Sequence, residues 1–323
     1  MKRKDLLKIS GVTGINAQYD ENVKRLLSNK SILAFILKSI IEEYKSSTLK
    51  EIEDFISPDL HTASIALLPD NLSANSSNSA LPRIIGDDAE DSVPGEGRIT
   101  YDIRFHALAP GTQGDTSIKI LFNIEAQKNF YKKYKLVTRG IFYGARMISS
   151  QLGTEFYHSE YQNIKKVYSI WICMNVPKKI GNSVCEYKIT KHDITGYFPD
   201  DKNSYDKLSV IMICLCSKIT APSGSLHHLL LTLLSPTLSA TEKKRILLDQ
   251  FNIAIYPELE KEMNEMCNLS EAIEENGVKK GISIARVSAV HNLMKNLDLS
   301  LEKALEALNL SRSDYEKSLR TSR

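Results

Sequence analysis

Two acidic residues in neighbouring strand-like segments have the types and spacing that best suit chemistry in this sequence. Asp102 lies in the β-branched and aromatic segment 99–105, and Glu125 follows directly on the apolar segment 118–124. Paired carboxylates bind a hard cation such as Mg²⁺ through oxygen and leave positions open for water and a phosphate oxygen. Such an ion lowers the pKa of a bound water and offsets charge that develops on a phosphate. From these two residues alone, an ordinary solvent-facing role stays open, because most carboxylates are exposed.

The strand period places further polar residues beside this pair. Side chains two apart on a strand point to the same face, so Glu125 projects with Gln127, and Asp102 projects with Arg104. If the two strands are neighbours, one face collects all four side chains. Arg104 could then bind phosphate, or it could simply form an ion pair with one of the two carboxylates.

The elements that must position these residues follow from hydrophobic periodicity. The turn residues Pro110–Asp115 separate the two strand-like segments, which predicts a hairpin of antiparallel neighbours. Apolar residues at three and four residue spacing predict a helix over 19–44, capped at Ser31 in its main portion, and a second over 49–56. Further elements are predicted as follows: a helix over 134–152, buried strands over 167–174 and 208–215, and helices over 226–234, 241–255, 258–275, 278–297 and 301–308.

This order predicts an α/β core followed by an all-helical C-terminal extension. Residues 69–97 are rich in Asn, Ser, Gly and Pro with a short acidic cluster, and they predict a long loop within the core. The predicted regions are 1–220 for the core and 221–323 for the helical part, each near the usual size of a domain. The helical part could mediate assembly into a homo-oligomer.

Composition narrows the class of protein. The chain of 323 residues is 42% hydrophobic and 25% charged, as is usual for a globular protein, and its net charge of +3 is too small to indicate a nucleic-acid partner. Its longest apolar runs are far shorter than the roughly 20 residues of a membrane helix, so no membrane partner is expected. Five cysteines without zinc spacing favour buried thiols and a cytoplasmic location.

Several short motifs carry a resemblance to a known family. They are Glu96–Gly97, Tyr101–Phe105, Asn123–Gln127, Thr138–Tyr143, Arg146–Gln151 and Tyr168–Ile172. Together with residues 16–20, their order resembles the PD-(D/E)XK nuclease superfamily, and within it the PD-(D/E)XK nuclease family transposases, related to the recombination-promoting nucleases. The resemblance covers roughly residues 16–216. It implies a restriction-endonuclease-like core, in which a mixed sheet is flanked by helices.

The resemblance also implies roles for single residues. Asp102 matches the strand aspartate that holds the metal, Glu125 matches the second acidic ligand, and the backbone carbonyl of Ala126 matches a common further ligand. The implied metal is Mg²⁺, with Mn²⁺ as a possible substitute. Gln127 takes the place that lysine usually holds. A neutral amide can orient water, but it cannot supply the positive charge that a lysine brings to the phosphate.

The segment after Glu125 could supply the missing charge. Residues 128–154 contain six basic and no acidic residues, which suits a phosphate-facing surface. On a helix, Arg139, Tyr143 and Arg146 share a face, with Gln151 about one turn further, and these are the predicted DNA contacts together with Arg104.

A third carboxylate is often present in the superfamily. Glu42 and Glu43, at the end of the first predicted helix, match its usual place. Solvated surface glutamates explain these two residues as well.

The leading hypothesis is a Mg²⁺-dependent DNA endonuclease of a bacterial mobile-element or recombination-related family. Two alternatives stay open. The first keeps the fold and DNA binding but loses catalysis, for which Gln127 is the main argument. The second is a non-enzymatic interaction protein in which the hairpin carboxylates form ordinary salt bridges.

Overall fold

The computed structural model describes residues 18–57, 61–62, 90–93, 97–110, 118–128, 130 and 134–322. These residues divide into two compact units. Asp20–Asn264 form the first, and the described part of the second comprises residues 18–19 and 265–322.

The first unit is built on a mixed six-stranded sheet. The strands are β1 (His61–Thr62), β4 (Ile103–Ala109), β5 (Ile118–Gln127), β6 (Lys166–Cys173), β7 (Ser183–Lys188) and β8 (Leu208–Cys214), in the spatial order β1-β4-β5-β6-β8-β7. β5, β6 and β8 are parallel, whereas the pairs β1/β4, β4/β5 and β7/β8 are antiparallel. The predicted antiparallel pairing is confirmed for Ile103–Ala109 with residues 118–124. The predicted turn between them falls largely on residues 111–117, outside the described residues. The predicted strand over 99–105 is interrupted, because Gly97–Thr100 belong to a separate strand and Asp102 lies just before β4.

The neighbouring parallel strands β6 and β8 are buried almost throughout, as the sequence predicts. In β6 and β8 every residue after the first is buried, because helices cover both faces of such strands. The edge strand β7 was not predicted. Most of its side chains are exposed, so its sequence lacks the apolar pattern of a buried strand.

The N-terminal helical segment differs from the prediction of one helix capped at Ser31. Helix α1 covers residues 18–27 and ends before Asn29, and α2 (Lys30–Ile40) begins there. The side chain of Asn29 accepts hydrogen bonds from the amides of Ser31 and Ile32, so Asn29 is the cap and Ser31 lies inside the helix. The helical prediction for 41–44 is met only by a short 3₁₀ turn, Glu42–Tyr44.

Helix α3 (Leu49–Phe55) forms as predicted. Thr48 caps its first turn, and Glu51 completes a reciprocal capping box with Thr48. This short helix therefore has a defined start although it spans only two turns.

Helix α4 (Leu136–Ser149) packs on one face of the sheet, over β5, β6 and β8. Its buried side chains Tyr143 and Met147 lie in one apolar cluster with Trp171 and Met212 of the strands. The opposite face carries a stack of rings, in which Phe122 lies 5.1 Å from Phe105 and 5.5 Å from Tyr168 between ring centroids.

We expect Gly140→Ala to destabilise the first unit, because α4 approaches the sheet closely at this residue. A β-carbon at Gly140 would lie 2.7 Å from Val210 Cγ1 and 2.9 Å from Trp171 Nε1. Overpacking of this kind costs about 1–3 kcal/mol of the free energy of unfolding, measurable by urea denaturation. Gly277→Ala is the control, since a β-carbon there has no atom within 4 Å and alanine favours helix. Equal stability of the two variants would contradict this packing.

Most of the predicted long loop 69–97 lies outside the described residues. Its end is not a loop, because β2 (Glu90–Val93) pairs antiparallel with β3 (Gly97–Thr100) in a separate two-stranded sheet. This pair was not predicted, because its acidic and polar residues lack the apolar alternation that indicates a strand.

The C-terminal part is helical, as predicted, with different boundaries. The helices are α6 (Leu226–Leu233), α7 (Ala240–Phe251), α8 (Pro257–Leu297), α9 (Leu301–Ala307) and α10 (Arg312–Ser322), after a single turn α5 (Lys202–Tyr205). α8 is one continuous helix where the sequence predicts two. None of the helices among the described residues is long and apolar enough to span a membrane.

The predicted boundary near residue 220 differs from the division between the two units. α6 and α7 belong to the first unit, where the rings of Phe35 on α2 and Phe251 on α7 meet edge to face at 5.2 Å. In the second unit, Val290, Ala304, Leu305 and Tyr315 form a small apolar core.

Candidate functional site

Asp102 and Glu125 lie opposite each other at one end of the β4/β5 pair. The pairing of Ile103 with Ile124 places Asp102, just before β4, against Glu125. The amide of Asp102 donates to Glu125 Oε1 at 3.0 Å, and the amide of Ala126 donates to Asp102 Oδ2 at 3.0 Å. Each acid thus accepts a hydrogen bond from the other strand's backbone, which fixes both carboxylates at one point.

Glu125 is buried, with 4% of its surface exposed. Burial, and then the negative charge of Asp102, raise the pKa of Glu125 to about 8, although the Asp102 amide and the charges of Arg139 and Lys24 oppose the shift. The side-chain amide of Asn123 donates to the same Oε1 at 3.0 Å. Both hydrogen bonds thus reach the same oxygen of Glu125.

A lysine and a third acid complete the site from helix α1. Lys24 Nζ lies 2.8 Å from Asp102 Oδ1. A pocket of about 140 Å³ is lined by Asp20, Val23, Lys24, Asp102, Ala126 and Met174. We call Asp20, Lys24, Asp102, Glu125 and Ala126 the carboxylate site. Asp20 and Lys24 are one helical turn apart, so α1 presents both to the same pocket.

The donors of the carboxylate site fit a magnesium ion in part. Two carboxylates from neighbouring strands match the way Mg²⁺ binds through one or two carboxylates while keeping several waters. Of these two, Asp102 lines the pocket and Glu125 does not. The buried Oδ1 of Asn123 has no hydrogen-bond partner, which leaves a further oxygen unsatisfied beside Glu125. In the part of the chain that the structure describes, no group of three or more His, Cys, Asp or Glu side chains is arranged to hold a metal. A cation on Asp102 would also displace Lys24.

Gln127 ends β5 two residues beyond Glu125. Its carbonyl accepts a hydrogen bond from the amide of Met174 at 2.9 Å, and Met174 lines the pocket. Its side chain is partly exposed. Gln127 therefore lies at the same end of the sheet as the carboxylate site.

Arg139 and Tyr143 approach Glu125 from helix α4. The Arg139 guanidinium donates to the hydroxyls of Tyr134 and Tyr143, and it lies 4.8 Å from the centre of the Tyr143 ring and 5.2 Å from that of Trp171. The aromatic groups fix the cation beside the acid pair. The predicted contacts Arg139 and Tyr143 are thus brought to the site.

Arg104 and Arg146 are both buried, whereas side chains that bind phosphate at a surface are exposed. Arg146 is 3% exposed on the sheet-facing side of α4. Arg104 is 9% exposed, lies 5.3 Å above the Tyr101 ring and donates to Ser150 Oγ at 3.4 Å. Arg104 is paired with Asn123 across the strands, so it lies on the face that carries Glu125.

Gln151 lies at the opposite end of the sheet. Its side chain donates to the carbonyl of Lys165 at 3.1 Å and accepts from the Lys165 amide at 2.7 Å. The next residue, Lys166, pairs with Ile120, which is about 17 Å along β5 from Glu125 at 3.3 Å per residue. Gln151 is therefore placed to hold the start of β6.

Glu43 lies at that opposite end too. Its carboxylate pairs with Lys166 Nζ at 2.9 Å and accepts from the Tyr168 hydroxyl at 2.7 Å. Glu42 is exposed and pairs with Lys45. Neither residue lines the pocket beside Asp102, whereas Asp20 does.

Two residues of the carboxylate site, Asp20 and Lys24, were not among the residues predicted for it. Residues 16–20 were included only among the segments that carry the family resemblance. A signal was present in the sequence, because Lys24 interrupts the apolar stripe of Val23, Leu26 and Leu27. A charged residue in a buried stripe requires a partner, which here is Asp102.

The chain was compared with protein-family models, curated proteins and solved structures, and none of them matches it.

Proposed function

We propose that this protein is a Mg²⁺-dependent DNA endonuclease with a restriction-endonuclease-like core. The observation that carries the proposal is the reciprocal hydrogen bonding of Asp102 and Glu125 beside the pocket that Lys24 and Asp20 share. Bringing two acids together on neighbouring strands, with Glu125 buried, costs folding free energy. A role as ordinary surface charges would not explain that cost. The order of sequence motifs around them supports the same reaction class.

Asp102, Glu125 and the Ala126 carbonyl would hold the ion, next to the pocket that Asp20 also lines. A bound magnesium ion would lower the pKa of the attacking water and offset negative charge on the phosphate. In hydrolysis the water oxygen bonds to phosphorus and releases a proton to solvent. The bond from phosphorus to the leaving oxygen breaks, and the leaving oxygen takes up a proton from solvent. Gln127, at the end of β5, would orient the water through its amide.

The DNA surface in this proposal follows the start of α4. Arg139 and Tyr143 lie beside Glu125, and Tyr134 and Phe142 expose about half of their surface, at 48% and 54%. Exposed aromatic rings next to cations suit bases and phosphates. We also propose a cytoplasmic location and a bacterial mobile-element or recombination-related role, and assembly through the C-terminal helices.

A second candidate function is DNA binding without cleavage. It is favoured by the ion pair between Lys24 and Asp102, which already neutralises one acid, together with the neutral Gln127. In that case the carboxylate site would be a structural remnant of a nuclease.

The test is incubation of supercoiled and linear DNA with the purified protein in Mg²⁺, Mn²⁺ or EDTA. The proposal predicts nicking or cleavage in either metal and none in EDTA. DNA binding without cleavage in any metal would favour the second candidate. Neither binding nor cleavage would contradict both and favour an interaction protein.

A further inference from the structure

The proposed reaction lacks a positive charge at its usual place. Transfer of a phosphoryl group places negative charge on the phosphate oxygens, and a nearby cation stabilises it. Strand β5 offers the neutral Gln127 two residues after Glu125. The guanidinium of Arg139 is engaged by two tyrosine hydroxyls and by ring faces. Neither Gln127 nor Arg139 therefore offers a mobile cation, and another element can supply one.

Lys24 meets that requirement from helix α1. Its side chain is 7% exposed, and its ammonium lies 2.8 Å from Asp102 Oδ1. It lines the pocket together with Asp20 and Ala126. A buried ammonium is costly without a partner, so this lysine is held at the acid that would also bind a metal.

One oxygen cannot hold two cations without strong repulsion. A divalent ion that binds Asp102 would therefore drive the Lys24 ammonium off Oδ1. The four-carbon stem of lysine lets its ammonium move by several ångströms while its backbone stays fixed in α1. The space it can reach is the same pocket, where a phosphate bound to the ion would present its oxygens.

We propose that Lys24 is the cation that exchanges between Asp102 in the metal-free protein and the scissile phosphate in the metal-bound complex. It supplies the charge that Gln127 lacks, and it is the reason why glutamine suffices on β5. This inference rests on the proposed function. Its first half, competition with the metal, is independent of cleavage.

The test compares the full-length wild type with Lys24→Met, which keeps the length of the side chain and removes the charge. Calorimetric titration with Mn²⁺ is expected to give at least about fivefold tighter binding, because the competing ammonium is gone. Single-turnover cleavage of plasmid DNA at saturating Mn²⁺ is expected to be at least about 100-fold slower. Adding Gln127→Lys to Lys24→Met is expected to restore at least about tenfold of the lost rate.

Lys166→Met is the matched control, since it removes a similarly buried lysine from the ion pairs with Glu43 and Asp206 at the other end of the sheet. It is expected to leave Mn²⁺ affinity and cleavage unchanged. Metal-free thermal unfolding establishes that each variant is folded. If Lys24→Met does not fold, Lys24→Gln, which can still donate to Asp102, takes its place in every assay.

Mn²⁺ binding by the uncharged variant that is equal to or weaker than wild type would overturn the inference. So would a cleavage rate within about threefold of wild type. If the wild type itself binds Mn²⁺ but never cleaves DNA, the proposed function fails, and the affinity comparison alone decides whether Lys24 competes with the metal.

Discussion

Asp102→Asn is expected to slow metal-dependent DNA cleavage by at least about 10³-fold, because a metal that polarises water and phosphate contributes several kcal/mol to the barrier. Asparagine keeps the size of the side chain and can still accept the hydrogen bond from the Ala126 amide. It removes the negative charge that would hold the cation and that now pairs with Lys24. Single-turnover nicking of supercoiled DNA at saturating Mg²⁺ measures the effect.

Asp206→Asn is the matched control for this substitution. Asp206 is more buried than Asp102, with 10% against 19% of the side chain exposed, and its Oδ2 pairs with Lys166 at 2.8 Å at the opposite end of the sheet. Asp102→Asn leaves the buried Lys24 without its carboxylate and is expected to lose about 3–5 kcal/mol of unfolding free energy. Asp206→Asn is expected to lose less, because Lys166 keeps its ion pair with Glu43 at 2.9 Å. Cleavage by folded protein is expected to fall only in Asp102→Asn. Equal activities would remove Asp102 from the active site.

Glu125→Gln is expected to make the metal-free protein more stable than the wild type, by an amount that increases as pH rises. The usual pKa of the Glu125 carboxyl is 4.5, whereas burial and the neighbouring Asp102 raise that pKa to about 8 in the folded state. Between these values the unfolded chain releases the proton and the folded chain keeps it. Stability of the wild type therefore falls with rising pH by up to about 1.4 kcal/mol per unit, and the loss is complete above the folded pKa.

Glutamine carries no such proton and can still accept the hydrogen bonds that reach Glu125 Oε1. The free energy of unfolding of Glu125→Gln should match that of the wild type near pH 4.5 and exceed it by on the order of 4 kcal/mol at pH 8. Urea denaturation in EDTA across this range measures the difference. Glu160→Gln, on the surface, should keep the wild-type pH dependence. If Glu125→Gln also keeps it, Glu125 is not the buried acid described above.

Local patterns in the sequence were sufficient to predict the sheet that carries the acid pair. Strands are indicated directly by the apolar runs of β6 and β8 and by the two segments around the hairpin. A buried strand requires apolar residues along its length or on one face, and this pattern is visible in the sequence. From the hairpin it follows that Asp102 and Glu125 meet. The edge strand β7 and the short pair β2/β3 lack this apolar pattern, since their residues are mostly polar.

The helical side of the site was not predictable in the same way. Periodicity predicts one helix across Asn29, but a side-chain cap at that residue divides it, and short polar caps compete locally with helix continuation. Glu42 and Glu43 were considered as a possible third carboxylate, with surface glutamates as the alternative. The further acid that lines the pocket with Asp102 is Asp20 on α1. Which turn of a helix reaches the strand end depends on packing between distant segments, which spacing along the chain does not encode.

Gln151 illustrates the same limit on α4. Helical spacing correctly brings Arg139 and Tyr143 to Glu125, yet it cannot tell how far along the sheet a later turn lies. Gln151 instead holds the backbone of Lys165 at the far end. The start of α4 therefore lies near the carboxylate site, whereas the turn after its end holds the backbone at the other end of the sheet.

The central claim is that Asp102 and Glu125 together hold a divalent cation, and an anomalous difference map from crystals grown with Mn²⁺ tests it most directly. The account predicts a manganese peak about 2.2 Å from an oxygen of each carboxylate, with the Lys24 ammonium displaced from Asp102. A map at saturating Mn²⁺ without a peak there, in which Lys24 still pairs with Asp102, would contradict it.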